Sequence, residues 1–181
     1  MYYFKLLPQR FRYLFTCLII PVFLLSIGAN RIQAQGILQV AHLPKTLIAE
    51  VIGIQDGDTI ELKIMYTGKD AGYRKDKLVR IRFLHINSPE RGKPFYKVAK
   101  QFTTDKCYRQ KVTIQHEGEF DRYGRLLGVV ILPNGQNLNK MLVAKGLAVH
   151  YKKYSSDQSY AKLEIAAQKK KIGIWSLPAN H

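Results

Sequence analysis

The chain has only two cysteines among its 181 residues, which excludes a small scaffold held together by disulfides. Cys17 lies in an apolar N-terminal run; if that run were cleaved, Cys107 would be left without a partner. Acidic residues are also scarce, 13 against 29 lysines and arginines, and none precedes Glu50. The formal charge of +16 predicts attraction to polyanions, either nucleic acid or an anionic membrane surface, although a generally basic soluble surface would give the same total.

The first 34 residues differ in kind from the rest. Three basic residues precede the apolar run Tyr13–Gly28, and small residues follow it where a peptidase could cut. This layout is typical of a secretory signal peptide, and an uncleaved membrane anchor is the alternative. We therefore expect residues 35–46 to be a linker and the body to be secreted or periplasmic, or else attached to a membrane by its N-terminal segment.

The body, residues 47–177, is predicted to be one domain of the α+β class. In Thr59–Tyr66, apolar and charged residues alternate as in a strand with one buried face. A change of apolar parity before Asn87 indicates a bulge or bend. Five strands and about three helices suggest a small closed barrel of the OB type. The predicted strands are Leu47–Gln55, Thr59–Tyr66, Leu78–Ile86, Lys111–Glu119 and Arg125–Leu132, and the predicted helices are Phe95–Tyr108, one capped by Asn137 and ending at Gly146, and Ser159–Ile172.

Three short clusters of ionisable residues carry the chemistry that phosphodiester hydrolysis requires. The clusters are Asp56-Gly57-Asp58-Thr59, Arg82 followed by Asn87-Ser88-Pro89-Glu90, and Asp121-Arg122-Tyr123-Gly124-Arg125. A carboxylate such as Asp58 is an oxygen ligand for a hard cation, and one such as Glu90 can activate water. The guanidinium groups of Arg82 and Arg125 can grip a phosphate whose negative charge rises during attack.

The order and residue types of these clusters resemble the staphylococcal nuclease (thermonuclease) family over roughly Ile48 to Trp175. The resemblance implies an OB-fold endonuclease that uses Ca²⁺ or another divalent cation, accepts DNA and/or RNA, and leaves 3′-phosphate products. By the same resemblance, Asp58 and the main-chain carbonyl of Ser88 hold the ion and Asp56 supports the site from behind. Glu90 is the general base, and Arg82 and Arg125 bind phosphate.

The family's nucleotide pocket is lined by tyrosines, which Tyr123, Tyr151 and Tyr154 match. Aromatic faces stack on any base, which suits broad substrate use. Arg122 and Lys152 are further candidates for phosphate contacts. We expect the protein to act as a monomer, with a membrane as partner only if the N-terminal segment is uncleaved.

Asn87 is where the chain departs from the family, because the staphylococcal enzyme has an aspartate ligand at this position. An amide supplies an oxygen but no charge. The predicted site is therefore either a weaker calcium site that still works or a degraded one, in which case the chain is a non-catalytic nucleic-acid-binding module. A membrane-attached protein that uses the barrel as a scaffold is a third possibility.

Overall fold

The computed structural model describes residues 46–66 and 76–178. The predicted signal or anchor, residues 1–34, lies outside the described residues, as does the predicted linker except for its last residue. That residue, Thr46, already begins the first strand. No helix within the described residues is long and apolar enough to span a membrane.

Within residues 46–66 and 76–178, seven strands and three α-helices follow one another, and a short 3-10 helix, Gly173–Ser176, comes after them. The strands are β1 Thr46–Asp56, β2 Thr59–Tyr66, β3 Leu78–Phe83, β4 Ile86–Asn87, β5 Lys111–Gln115, β6 Leu126–Ile131 and β7 Val149–His150. The helices are α1 Tyr96–Cys107, α2 Leu138–Ala144 and α3 Gln158–Lys169.

Five of the strands form a closed barrel in the order β1-β2-β3-β6-β5, and β1 pairs with β5 to complete it. The pairing is antiparallel except between β3 and β6, which run parallel. β4 and β7 form a separate two-stranded sheet. The predicted α+β OB-type barrel with three helices is thereby confirmed.

The barrel interior is filled by one face of each strand. In β2, Ile60, Leu62 and Ile64 are fully buried, while Lys63 between them is exposed. This is the alternation that the sequence predicts. The core continues into the helices through Leu138, Leu142 and Tyr160, so α2 and α3 pack onto the barrel as part of the same core.

Two predicted strands are too long, because left-handed residues end them. β3 stops at Phe83 rather than Ile86, since His85 has φ 72° and turns the chain. β5 stops at Gln115 rather than Glu119, and Gly118 follows with φ 86°. The third helix begins one residue earlier than predicted, because Asp157 caps it by accepting a hydrogen bond from the Ser159 backbone N–H at 2.8 Å.

Candidate active site

The turn between β1 and β2 fixes the first cluster. The Oδ1 atom of Asp56 accepts a hydrogen bond from the Asp58 backbone N–H at 3.1 Å, the local turn that aspartate favours. Gly57 is buried beneath two other segments of the chain: a Cβ atom here would lie 2.8 Å from Cβ of Ala99 and 2.9 Å from Cβ of Ser88. The glycine therefore lets α1 and the segment after β4 pack directly on the turn.

The carboxylate of Asp58 lies at the centre of the site and is almost entirely buried. Its Oδ2 accepts hydrogen bonds from the Ser88 backbone N–H at 2.6 Å and lies 3.1 Å from Nη1 of Arg82. Its Oδ1 accepts from the Thr59 hydroxyl at 3.3 Å. Burial, opposed by Arg82 and assisted by the nearby Asp56, raises the pKa of Asp58 to about 7. A cation beside Asp58 would favour its ionised form, as Arg82 already does.

Arg82 joins the first cluster to the second. Besides its contact with Asp58, its Nη2 donates to Oδ1 of Asn87 at 2.7 Å, and its Nη1 donates to the carbonyl of Ile86 at 3.0 Å. These contacts depend on the left-handed turn at His85, which sends Ile86 and Asn87 back over the arginine. The bend predicted before Asn87 is therefore the feature that brings the second cluster onto the first.

Arg125 brings in the third cluster. Asp121 binds the guanidinium group of Arg125 through Oδ2, which accepts hydrogen bonds from Nε and from Nη2, both at 2.7 Å. The other carboxylate oxygen of Asp121 accepts from the backbone N–H groups of Tyr123 at 2.9 Å and Arg125 at 3.0 Å. Burial would raise the pKa of Asp121, but the bonds from Arg125 and Tyr123 prevail and lower it. The remaining nitrogen of Arg125, Nη1, donates to the Thr59 hydroxyl at 3.1 Å.

A pocket of about 680 Å³ opens beside these residues. Arg82 and Arg125 line it together with Arg122 and three tyrosines, Tyr123, Tyr151 and Tyr154. The rings of Tyr151 and Tyr154 meet edge to face at 4.9 Å, and the guanidinium of Arg122 lies 4.7 Å from the ring centre of Tyr123. Cations and open aromatic faces side by side are suited to a nucleotide.

Comparison with known proteins decides which family this architecture represents. The family described as staphylococcal nuclease homologues matches residues 80–177, more than half of the chain. The chain belongs to the staphylococcal nuclease family. This confirms the resemblance drawn from the sequence, together with the nuclease class of enzyme that the resemblance implied. The match begins after β2, so the cluster that holds Asp58 lies ahead of it.

Individual relatives also have names that describe them as nucleases. A micrococcal nuclease of Shigella flexneri is 32% identical over 165 residues, which cover 84% of this chain and 88% of that protein. An uncharacterized endonuclease of Escherichia coli is 32% identical over 126 residues, 70% of this chain and 75% of that protein. A staphylococcal-like nuclease of Arabidopsis thaliana is 36% identical over 104 residues, but these make up only 30% of the plant protein.

Six of the predicted site residues do not line the pocket. Four of them, Asp56, Asp58, Asn87 and Ser88, belong to the contacts around Asp58 beside it, whereas Glu90 and Lys152 stand apart from both. Lys152 does not line the pocket: its Nζ lies 2.8 Å from Oε2 of the buried Glu164, while Lys153 lines the pocket instead. Glu90 is exposed in the segment after β4. Its backbone carbonyl accepts from the Lys93 N–H at 3.0 Å, and its side chain makes no hydrogen bond within the described residues.

Three residues of this site are absent from the sequence-based assignment. Asp121 holds Arg125, Thr59 links Arg125 to Asp58, and His85 supplies the turn beneath Arg82. The spacing Asp-x-x-Gly-Arg was a usable signal for Asp121, because Gly124 adopts φ 71° and returns the chain to the aspartate. Nothing in the sequence indicates that a histidine would occupy a left-handed position.

The donor set fits a hard divalent cation. Asp58, Asp56 and Asn87 offer side-chain oxygens, the ligands that Ca²⁺ and Mg²⁺ prefer. The pKa of Asp58 is raised mainly by its burial and also by the neighbouring carboxylate of Asp56. Residues 46–66 and 76–178 contain no cluster of three or more His, Cys, Asp or Glu side chains, so main-chain oxygens, water and substrate phosphate would have to complete a coordination shell.

Proposed function

We infer that this protein is a nuclease that hydrolyses phosphodiester bonds of DNA and/or RNA, that it depends on a divalent cation, and that it acts outside the cytoplasm. The observation that carries the inference is the connected set of contacts around Asp58, in which residues from three separate parts of the chain meet beside one pocket. Family membership and the nuclease relatives support the same activity.

Arg82 and Arg125 are the groups that would bind the scissile phosphate. Both line the pocket, and each is held in place by a carboxylate before any substrate arrives. Donors fixed in advance stabilise the charge that develops in the transition state without having to reorganise. The planar guanidinium fork suits two phosphate oxygens at once, so lysine would replace either arginine poorly.

Glu90 is the proposed general base. It follows Pro89, three residues after Asn87, in the segment that packs on the Asp58 turn. Its side chain is exposed and free of other hydrogen bonds in the described residues, so it is available to accept a proton from water. In-line attack of that water would break the 5′ P–O bond and leave a 3′-phosphate and a 5′-hydroxyl, as the family resemblance implies.

Asp58, Asn87 and the carbonyl of Ser88 would hold the cation, with Asp56 behind them. When bound, Ca²⁺ or a similar ion supplies positive charge for the phosphate oxygens and lowers the pKa of nearby water. Because Asn87 contributes no charge, we expect a weaker site than one with an aspartate at this position. Substrate phosphate would supply part of the missing negative charge.

The tyrosines of the pocket support broad substrate use as part of the proposal. Tyr123 and Tyr154 are more than half exposed, so their faces are open to bases. Stacking discriminates little between bases, and none of these side chains has to read the sugar. The location outside the cytoplasm rests on the N-terminal sequence, where a basic start, an apolar run and small residues follow in the order of a secretory signal.

The test is to incubate the purified protein with single-stranded DNA and with RNA, in calcium and in a chelator. Cleavage that requires the metal, is lost in Glu90→Gln and leaves 3′-phosphate ends would agree with the proposal. Binding without cleavage across several divalent metals would instead identify a binding module in which Asn87 marks a lost metal site. N-terminal sequencing of protein from culture medium or periplasm would test the location.

A further inference from the structure

Arg80 lies on β3 two residues before Arg82, and both project from the same face of the strand. The parallel register between β3 and β6 pairs Ile81 with Leu126, so Arg80 lies level with Arg125, the residue before Leu126. Side chains at positions i and i+2 of a strand are about 6.6 Å apart at their Cα atoms. Arg80, Arg82 and Arg125 therefore form a short group of arginines on one face of the barrel.

Arg80 differs from the other two in its charge balance. Asp58 pairs with Arg82 and Asp121 pairs with Arg125, whereas Arg80 makes no ion pair within the described residues. The acidic residue nearest to it by register is Glu61, its cross-strand neighbour on β2. That carboxylate accepts a hydrogen bond at 2.6 Å from Nε2 of Gln55. The guanidinium of Arg80 is therefore exposed and, within the described residues, in no ion pair with Glu61 or any other carboxylate.

The one side-chain hydrogen bond that Arg80 makes in the described part of the chain points toward the site. Its Nη2 donates to the backbone carbonyl of Tyr123 at 3.5 Å, the outer limit for such a bond. Tyr123 forms one wall of the pocket, and Arg122 donates from Nη2 to its hydroxyl. Arg80 itself does not line the pocket, but it reaches the main chain of Tyr123, which does.

We propose that Arg80 binds a phosphate of the substrate strand that flanks the scissile phosphate, and so makes the enzyme prefer strands over single dinucleotides. The ligand is a phosphodiester of the same nucleic-acid strand, and the inference rests on the proposed nuclease function. A strand that leaves the pocket over Tyr123 would meet the guanidinium of Arg80, whose Cα lies about 6.6 Å from that of Arg82. The weak bond to the Tyr123 carbonyl is readily exchanged for a phosphate oxygen.

Arg80→Gln tests the proposal, because it removes one exposed charge without disturbing the core. The matched control is Arg109→Gln, which removes an exposed arginine between α1 and β5 that does not line the pocket. Substrates are a dinucleoside monophosphate with one phosphodiester, and longer strands extended by one or two nucleotides on the 5′ side alone or the 3′ side alone. Steady-state kcat and KM are measured for each substrate.

We expect Arg80→Gln to raise KM about fivefold for strands extended on one side. The dinucleoside monophosphate should be cleaved as by the wild type, and kcat should change little throughout. Arg109→Gln should behave as wild type. If KM is the same in Arg80→Gln and wild type on all extended strands, Arg80 does not bind a flanking phosphate. If KM rises equally for 5′ and 3′ extensions, Arg80 does not form a subsite for one defined phosphate.

A binding measurement separates this inference from the proposed function. With chelator present, the affinity for a labelled single strand is measured against salt, and the log-log slope should become shallower by about 0.7 in Arg80→Gln, the value for one lost phosphate contact. Arg80→Lys should restore most of the slope. If the wild type never cleaves but Arg80→Gln still has the shallower slope, the nuclease function is refuted and the phosphate contact of Arg80 is retained. If the wild type cleaves but the slope is unchanged in Arg80→Gln, the nuclease function is retained and the phosphate contact of Arg80 is refuted.

Discussion

Replacing Asp121 by asparagine tests whether Arg125 has to be held in place before substrate binds. The amide keeps the size of the side chain and can still accept from the backbone N–H groups of Tyr123 and Arg125. It loses the anionic oxygen that accepts two hydrogen bonds at 2.7 Å from the Arg125 guanidinium. The amide NH₂ group would point a donor at other donors if it took that place.

The magnitude follows from those two bonds. Hydrogen bonds between charged groups contribute about 1.5–3 kcal/mol each when buried. The side chains of Arg125 and Asp121 are 21% and 18% exposed, so solvent screening reduces the combined loss to about 1–2 kcal/mol. If this energy keeps Arg125 in its productive position, kcat for single-stranded DNA should fall by about 5- to 30-fold. Thermal unfolding of the variant serves as the control for an intact barrel.

A double-mutant cycle supplies the decisive comparison. Arg125→Gln alone removes the phosphate donor, and adding Asp121→Asn to it should cost almost nothing more, because the aspartate then has no arginine to hold. If the two losses in kcat instead multiplied, or if Asp121→Asn alone cleaved at the wild-type rate, Asp121 would have no positioning role.

Three further changes have defined outcomes. Glu90→Gln keeps size and removes the base, so kcat should fall by roughly 10²- to 10⁴-fold with KM nearly unchanged; a wild-type kcat would exclude Glu90 as the base. Asn87→Asp should lower the calcium concentration for half-maximal activity, whereas an unchanged midpoint would mean that residue 87 does not face the ion. Burial raises the pKa of the Cys107 thiol to about 12, so Cys107 should resist alkylation at pH 8 in a folded Cys17→Ser variant. Unfolding should make it reactive, because the pKa of an exposed thiol is about 8.5 and part of it is then thiolate. Rapid alkylation of Cys107 in the folded protein would contradict the burial of this side chain.

Features with a regular period could be predicted from the sequence. The buried face of β2 follows from strict alternation, and the Asn137 cap of α2 follows from residue type: its side chain accepts from the Lys140 N–H at 2.9 Å. The ends of β3 and β5 could not be predicted, because they depend on backbone angles. For His85 in particular, φ 72° is a conformation that histidine adopts more often than most residues, yet no glycine, proline or asparagine next to it marks a turn.

Side-chain direction in the site was harder to predict than residue identity. Lys152 and Lys153 are adjacent and chemically identical, and only one can face the pocket. The choice is made by Glu164, a buried carboxylate on α3 that pairs with Lys152 and also accepts from the His150 N–H at 3.0 Å. That contact depends on how α3 packs beside β7, which local sequence does not encode. The same holds for Arg82, whose bond to Asn87 requires the preceding turn.

The order of strands in the barrel has a consequence for the time course of folding. β1, β2 and β3 pair with their neighbours in the chain, so Asp58 and Arg82 can meet in an early three-stranded meander. Arg125 reaches Thr59 across 66 residues, and only after β6 has docked beside β3. Pairing between distant strands is slow because the intervening chain must be ordered first. We therefore expect the β1-β2-β3 meander to form before Arg125 reaches its place, so that recovery of cleavage during refolding reports closure of the barrel.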